Sequence, residues 1–456
     1  MGLKSRRTFL KSGLMVAGGG ALAACAPAAG PTAAPAANTQ APAQVGSTGS
    51  TVEVTYWGAF TGELGAAEQA MVDRFNESQQ DVRINYTSQN SYAEVAQKLT
   101  AAIQSNTQPD IALLSDVWWF RFYSANQLAP MDELMAGAGV TSQELANDFL
   151  QVFMIEGQRQ GLNWWIPFAR STPIFYYNKD HWRAAGLEDR APETWAEYME
   201  WAPSLVQRDG DTVTRAAFVH PNGASFIAWL FQCVAWQHGG QYSNDDFSMT
   251  MTNENTVRAG QFYGDTVNDL GWAILSDDAG RDYNTGLASA GMLSTAALAS
   301  ITANAEFEVG TGFLPRESQF GCCTGGSGFG ILSSVPAERQ QAAARFIAFA
   351  TSTEQATLWS QSTGYIPVRQ SAIDSESMQQ FFAGNPNFQT AVRQAPETRP
   401  QDVARRLVPG GDELIGKALE RIMLQQQPPL ESFEQANGEL TTEAAKVLEA
   451  LASVEG

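Results

Sequence analysis

Between Val52 and Leu114 the hydrophobic period of the chain changes repeatedly, and these changes restrict the fold more than any other feature. The stretch VEVTYW (52–57) is β-rich and ends at Gly58. In ELGAAEQAMVDRF (63–75), Leu64, Met71, Val72 and Phe75 fall on one helical face. VRINY (82–86) alternates like a strand, and YAEVAQKLTAAIQ (92–104) returns to helical spacing through Val95, Leu99 and Ile103. DIALL (110–114) is a short apolar run suited to a buried strand. Strands separated by single helices run parallel, so this β-α-β-α-β order predicts a parallel sheet covered by helices. In open sheets of this kind ligands sit beyond the carboxyl ends of the strands. Here those ends are 57–61, 87–92 and 115–118, three loops that meet at one edge and carry Asp116 to it.

Further along, NWWIPFARSTPIFYYNKDHW (163–182) contains an extended run through Ile174–Tyr177, and Pro192–Trp195 opens a helix. Residues 221–240 are aromatic and helix-like, with Phe226, Trp229, Phe231 and Trp236. SAGMLSTAALASI (289–301) passes from strand into a small-residue helix. GGSGFGIL (325–332) lacks the lysine that a nucleotide-phosphate loop requires, so its glycines read as a close-packed strand beside a cleft. The region from Pro386 to Gly456 is mostly helical, broken around Arg399–Gly411.

The first residues carry a different message. SRRTFLK (5–11) is a twin-arginine pattern, followed by an apolar run too short and glycine-rich to span a membrane. Leu22-Ala23-Ala24-Cys25 matches a lipobox, in which Cys25 is lipidated after removal of residues 1–24. Residues 25–50, rich in Ala, Pro, Ser and Thr, bury too little apolar surface to fold and read as a tether. The expected product is exported and held by lipid to the outer face of the cell membrane. The full chain's formal charge of −20 argues against nucleic acid as a partner, since that binding neutralises phosphates with Lys and Arg.

Cys233, Cys322 and Cys323 lack metal-ligand spacing; three buried thiols are the simpler expectation, with a disulfide from Cys233 the alternative. His181, His220 and His238 form no metal motif. An exported enzyme using paired carboxylates is one rival class, although no Gly-x-Ser-x-Gly nucleophile turn accompanies it. A sensing lipoprotein without a transport role is another.

The order of the leader, VTYWGAFTGELGAAEQAMVDRFNES, PDIALLSD, STPIFYYNKDHWRAAGL, PETWAEY and STGYIPV resembles the extracellular solute-binding proteins of the sugar and glycerol-phosphate class, over about residues 52–450. The resemblance implies an α/β fold of the periplasmic-binding-protein type II, two lobes joined by hinge crossovers with a ligand cleft between them. One lobe would hold 51–165 plus 294–350, the other 166–293 plus 351–456. It implies a binding protein rather than an enzyme, monomeric and without cofactor or metal, whose partners are a sugar or glycerol-phosphate ligand and the permease of an ATP-driven importer. Cleft closure on the ligand is what the permease would read.

Matched position by position to the glycerol-3-phosphate binders, the resemblance assigns ligand contacts to Tyr92, Asp116, Ser171, Ser294 (or Thr295), Gly326 (or Gly325), Tyr365 and Arg406, with Arg405 adjacent and able to trade places. Hydroxyls, a glycine N–H and one guanidinium suit a phosphate, while a carboxylate at Asp116 suits glycerol hydroxyls. Where that branch carries a tryptophan pair, this chain has Phe226 and Trp229, and Trp229 is the expected contact. Of Trp118 and Trp119, one is expected in the cleft and one in the core; Trp118 is assigned to the ligand. Arg170 favours an anion and the added indoles a sugar or a choline-like headgroup, leaving both ligand classes open.

Overall fold

The structure is a computed structural model that describes residues 51–455. The leader, Cys25 and the tether therefore lie outside the described residues.

The longer strands in chain order are β1 (Val52–Gly58), β2 (Val82–Ser88), β3 (Ile111–Ser115), β4 (Ile166–Ser171), β5 (Pro173–Asn178), β6 (Thr212–Pro221), β7 (Ala273–Ser276), β8 (Ala288–Ser294), β9 (Val309–Gly312) and β10 (Gly325–Ile331). The first sheet has the order β2-β1-β3-β10-β4. Its β1, β2 and β3 are parallel, connected by helices α1 (Gly62–Ser78) and α2 (Tyr92–Ser105), as the alternating periods predict. β10 and β4 join it antiparallel. The second sheet has the order β7-β6-β8-β5-β9, with β6 parallel to β7 and β8 and β5 antiparallel to β8 and β9; a short strand, Gln207–Asp209, pairs antiparallel with the start of β6.

The buried apolar residues form two core clusters, the first running from the first sheet on to part of the second through Ile174, Tyr176 and Val219. Around the first sheet, Met71, Val72 and Phe75 of α1 and Val95 and Leu99 of α2 pack on Val54, Ile84 and Ile111. The buried face of α1 also carries an acid, Glu68, which the apolar pattern gave no reason to place inside. Helix α3 (Trp119–Ser124) follows β3. Around the second sheet, the apolar helix α4 (Ala224–Gln237) is buried almost throughout, against α8 (Gly411–Gln425) among others. Helices α5 (Ala337–Ala350) and α6 (Thr353–Thr363) lie on the first sheet's side, and the short α7 (Val403–Arg406) precedes α8. The last helix, α9 (Pro429–Val454), places Phe433, Ala436 and Leu440 in the second core and Val447 and Leu451 in the first.

Two strands fall on the other side of the boundaries expected for the lobes. β4 (166–171) pairs in the first sheet and β9 (309–312) in the second. An apolar run announces a strand but not its hydrogen-bonding partner, so the periodicity places neither. Only Thr172, itself fully buried, separates β4 in one sheet from β5 in the other. The described cysteines are buried thiols, with the Sγ atoms of Cys233 and Cys323 3.4 Å apart. Among the described residues no helix is long and apolar enough to cross a membrane.

Candidate functional site

A cavity of about 430 Å³ lies where the ends of the two sheets face each other. Its first-sheet wall is built by chain turns. β3 ends at Ser115, so Asp116, Val117 and Trp118 emerge into the cavity before α3 begins. Tyr92 opens α2, where Ser91 caps the helix by accepting from the Glu94 N–H at 3.1 Å. Ser171 closes β4, and Gly325 and Gly326 begin β10 opposite it. From the second side come Ser225, Phe226 and Trp229 of α4, Ser294 at the end of β8, Arg405 of α7, and Asp412 and Glu413 in the first turn of α8.

The glycines are there because nothing larger fits. Gly326 has φ of +110°, and a Cβ on it would lie 2.0 Å from the Ala169 carbonyl oxygen. A Cβ on Gly325 would sit 2.6 Å from the Trp229 ring, which is held by its Nε1–H donating to the Thr324 carbonyl at 2.9 Å.

Asp116 is 5 % exposed. Its N–H donates to the Gly326 carbonyl at 2.9 Å, and its Oδ2 accepts from Gln401 Nε2 at 2.5 Å. Burial pushes its carboxyl up to about 6, against the pull of Arg405 and Arg170. The Tyr92 hydroxyl donates to Ser327 Oγ at 3.0 Å and lies 3.3 Å from that of Tyr365. Burial raises both phenols, Tyr365 to about 12, so both hydroxyls stay protonated. Arg405 Nη2 donates to the Ser225 carbonyl at 2.9 Å and Nη1 to Gln401 Oε1, while its buried Nε has no protein partner. Asp412 accepts from the Ser225 hydroxyl.

Residues 70–390 match the family described as bacterial extracellular solute-binding protein. The chain belongs to this family. It is a binding protein and not an enzyme. Of solved structures, one similar to this solute-binding protein is UgpB from Mycobacterium tuberculosis in complex with glycerophosphocholine, at 35 % identity and a TM-score of 0.82, covering 87 % of this chain and all of that one. The sn-glycerol-3-phosphate-binding periplasmic protein UgpB of Yersinia enterocolitica is 25 % identical over 406 residues, 84 % of this chain and 90 % of that protein. A cyclic α-maltosyl-1,6-maltose binding protein from Arthrobacter globiformis shares the fold at 23 % identity and a TM-score of 0.73, with 86 % and 99 % of the two chains covered. These neighbours bear out the type II periplasmic-binding-protein architecture expected from the sequence.

In this solute-binding protein, Tyr92, Asp116, Trp118, Ser171, Trp229, Ser294, Gly326 and Tyr365 all line the one cavity. Arg406 does not. Its Nε and Nη1 point to the carbonyls of Gln401 and Glu156, each at 3.4 Å, and Arg405 takes the place at the cavity wall. Adjacent helical residues point about 100° apart, so a one-residue slip across a gap decides which of them reaches the cavity. Trp118 lines the cavity, while Trp119 is fully buried against Trp165, with ring centroids 6.5 Å apart. Arg170 stands behind the wall, paired with Glu156 at 2.5 Å and covered by Trp165 and Phe153, so the anion preference read from it loses its basis. Trp164 and Trp165 are packing residues outside the cavity. Ser225, Asp412 and Glu413 are cavity residues that the sequence reading missed. The acids look in sequence like ordinary first-turn partners of a helix N-terminus, and only the tertiary approach of α8 to α4 turns them to the cavity.

Proposed function

We propose that this chain is the receptor of an ATP-driven importer, anchored by lipid at Cys25 outside the cell, and that it captures a zwitterionic glycerophosphodiester. The carrying observation is the charge inventory of the cavity. One guanidinium, Arg405, shares it with three carboxylates, those of Asp116, Asp412 and Glu413. A phosphomonoester dianion would meet net repulsion there. A phosphodiester carries one charge, which Arg405 and the hydroxyls of Ser171 and Ser294 are suited to hold. Asp116 accepts from glycerol hydroxyls. A cationic headgroup is stabilised by the faces of Trp118, Phe226 and Trp229 and by the acids of α8. Phe226 and Trp229 stand 5.5 Å apart at 33°, a continuous aromatic surface. The similarity to a protein solved with glycerophosphocholine supports the same reading.

The aromatic walls and carboxylates also favour a second reading, a neutral sugar stacked on the rings. Calorimetric titration with glycerophosphocholine, glycerol-3-phosphate and maltose separates the two. Glycerophosphocholine is expected to bind at least tenfold more tightly than either of the others, by about 1.4 kcal/mol. Equal or tighter binding of glycerol-3-phosphate overturns the zwitterion, and binding of maltose alone overturns the phosphodiester. For the anchor, Cys25→Ser is expected to move the protein from the membrane to the soluble fraction; a variant that stays with the membrane contradicts lipidation.

A further inference from the structure

Two groups of opposite charge, Asp116 and Arg405, face one cavity, both 5 % exposed, yet their side chains bond to Gln401 and Ser225 rather than to each other. Between them stands Gln401, 2 % exposed and not part of the cavity lining. Its Nε2 donates to Asp116 Oδ2 at 2.5 Å and to the Thr324 carbonyl at 2.8 Å, and its Oε1 accepts from Arg405 Nη1. Every polar atom of the amide is thus used, one end on the acid and the other on the base.

The amide is held from behind. Asp402, the next residue, accepts from Gln232 Nε2 at 2.9 Å, Trp236 Nε1 at 3.1 Å and the Tyr242 N–H at 2.7 Å. On the other side the Arg399 carbonyl accepts from the Thr324 N–H at 3.1 Å, and the Arg399 guanidinium lies 3.8 Å over the Trp236 ring. Residues 399–402 are therefore clamped between α4 and the lead into β10, and the Gln401 side chain has a fixed origin.

A buried carboxylate and guanidinium free to approach would pair directly, and each would then be neutralised toward a solute. We infer that Gln401 is the positioning residue of the site, an uncharged spacer that keeps Asp116 and Arg405 from collapsing on each other and so leaves both turned to the solute. The inference rests on the reading of this cavity as the solute site, and it assigns Gln401 a role through its neighbours, not through contact with the solute.

The test is ligand-free first. Asp116 is titrated by carboxyl ¹³C NMR in the full chain and in Gln401→Met, which keeps the length of the side chain and removes the amide. The charged and titratable groups facing Asp116 are Arg405 and Arg406 from α7, Arg170 from β4, Glu156, Tyr92 and Tyr365; all are unchanged by this substitution. Direct pairing with Arg405 lowers the Asp116 midpoint, by about 1–3 units. Loss of a mere hydrogen-bond donor raises it instead, so an unchanged or raised midpoint overturns the inference. Should Met at this position abolish folding, Gln401→Asn, one methylene too short to reach both partners, carries the same test with the same sign. Titration with glycerophosphocholine then follows: the variant is expected to bind at least about tenfold more weakly than the unaltered protein, and unaltered affinity again overturns the spacer role. If the unaltered protein binds none of the solutes, the site reading fails, while the NMR midpoint still decides whether Gln401 holds the two charges apart.

Discussion

Glu68 is the residue whose placement most contradicts its type. It lies fully buried on the apolar face of α1, accepting from the hydroxyls of Tyr56 and, at 2.5 Å, Tyr86. A Cβ on Gly58 would meet its Oε2 at 2.5 Å, so the strand beside it is kept bare. Burial pushes the carboxyl up to about 7, with the two tyrosine hydroxyls pulling the other way. The native state thus binds this proton more tightly than the unfolded chain does. Its contribution to stability is full below the ordinary glutamate range and is lost as pH rises through about 7, by roughly 3 kcal/mol. Glu68→Gln removes that titration. Urea unfolding of both proteins between pH 5 and 8 is expected to show the variant gaining on the parent as pH rises; a constant difference would mean that Glu68 does not titrate in this range.

At the scale of elements, α9 binds the two cores to each other. Its Leu440 is fully buried among residues of the second core, and its last turns reach the first, where Glu455 accepts from Arg159 at 2.9 and 2.8 Å and from the Tyr123 hydroxyl at 2.8 Å. The ion pair is partly exposed and contributes little; the apolar face is what counts. Leu440→Ala is expected to destabilise the protein by about 2–5 kcal/mol in denaturant unfolding, and a change below about 1 kcal/mol would mean that the helix packs loosely. The elements themselves were largely legible in the sequence. β1, α1, β2, α2 and β3 follow from period alone, and Asp116 follows from β3 ending one residue before it. What period cannot supply is pairing and rotation. The sheet to which β4 and β9 belong depends on partners far away in sequence. Whether Arg405 or Arg406 reaches the cavity depends on the rotation of α7, which Asp402 fixes through its bonds to α4. Gln401 carried no signal at all, since a lone glutamine in a loop looks like a surface residue until three buried partners surround it.

In the whole molecule, two sheets meet at the cavity, and the chain passes between them with very little slack. We propose that the two lobes are built on these two sheets and that solute draws them together. Small-angle scattering with saturating glycerophosphocholine is expected to give a smaller radius of gyration than without it, and identical curves would argue for a cleft that fills without closing. The crossing at Thr172 has a further consequence. A single residue joins β4 to β5, its carbonyl accepts from the Thr295 N–H at 3.1 Å, and Ser171, its neighbour, is already in the cavity wall. Under this proposal the pivot lies beside the solute, and displacement grows with distance from it, like the tip of a long pointer on a short bearing. Dyes placed on the outer rims of the two lobes, far from every residue that touches solute, would report occupancy with amplified signal and unaltered affinity, which makes this chain a natural starting point for an optical sensor of its own solute.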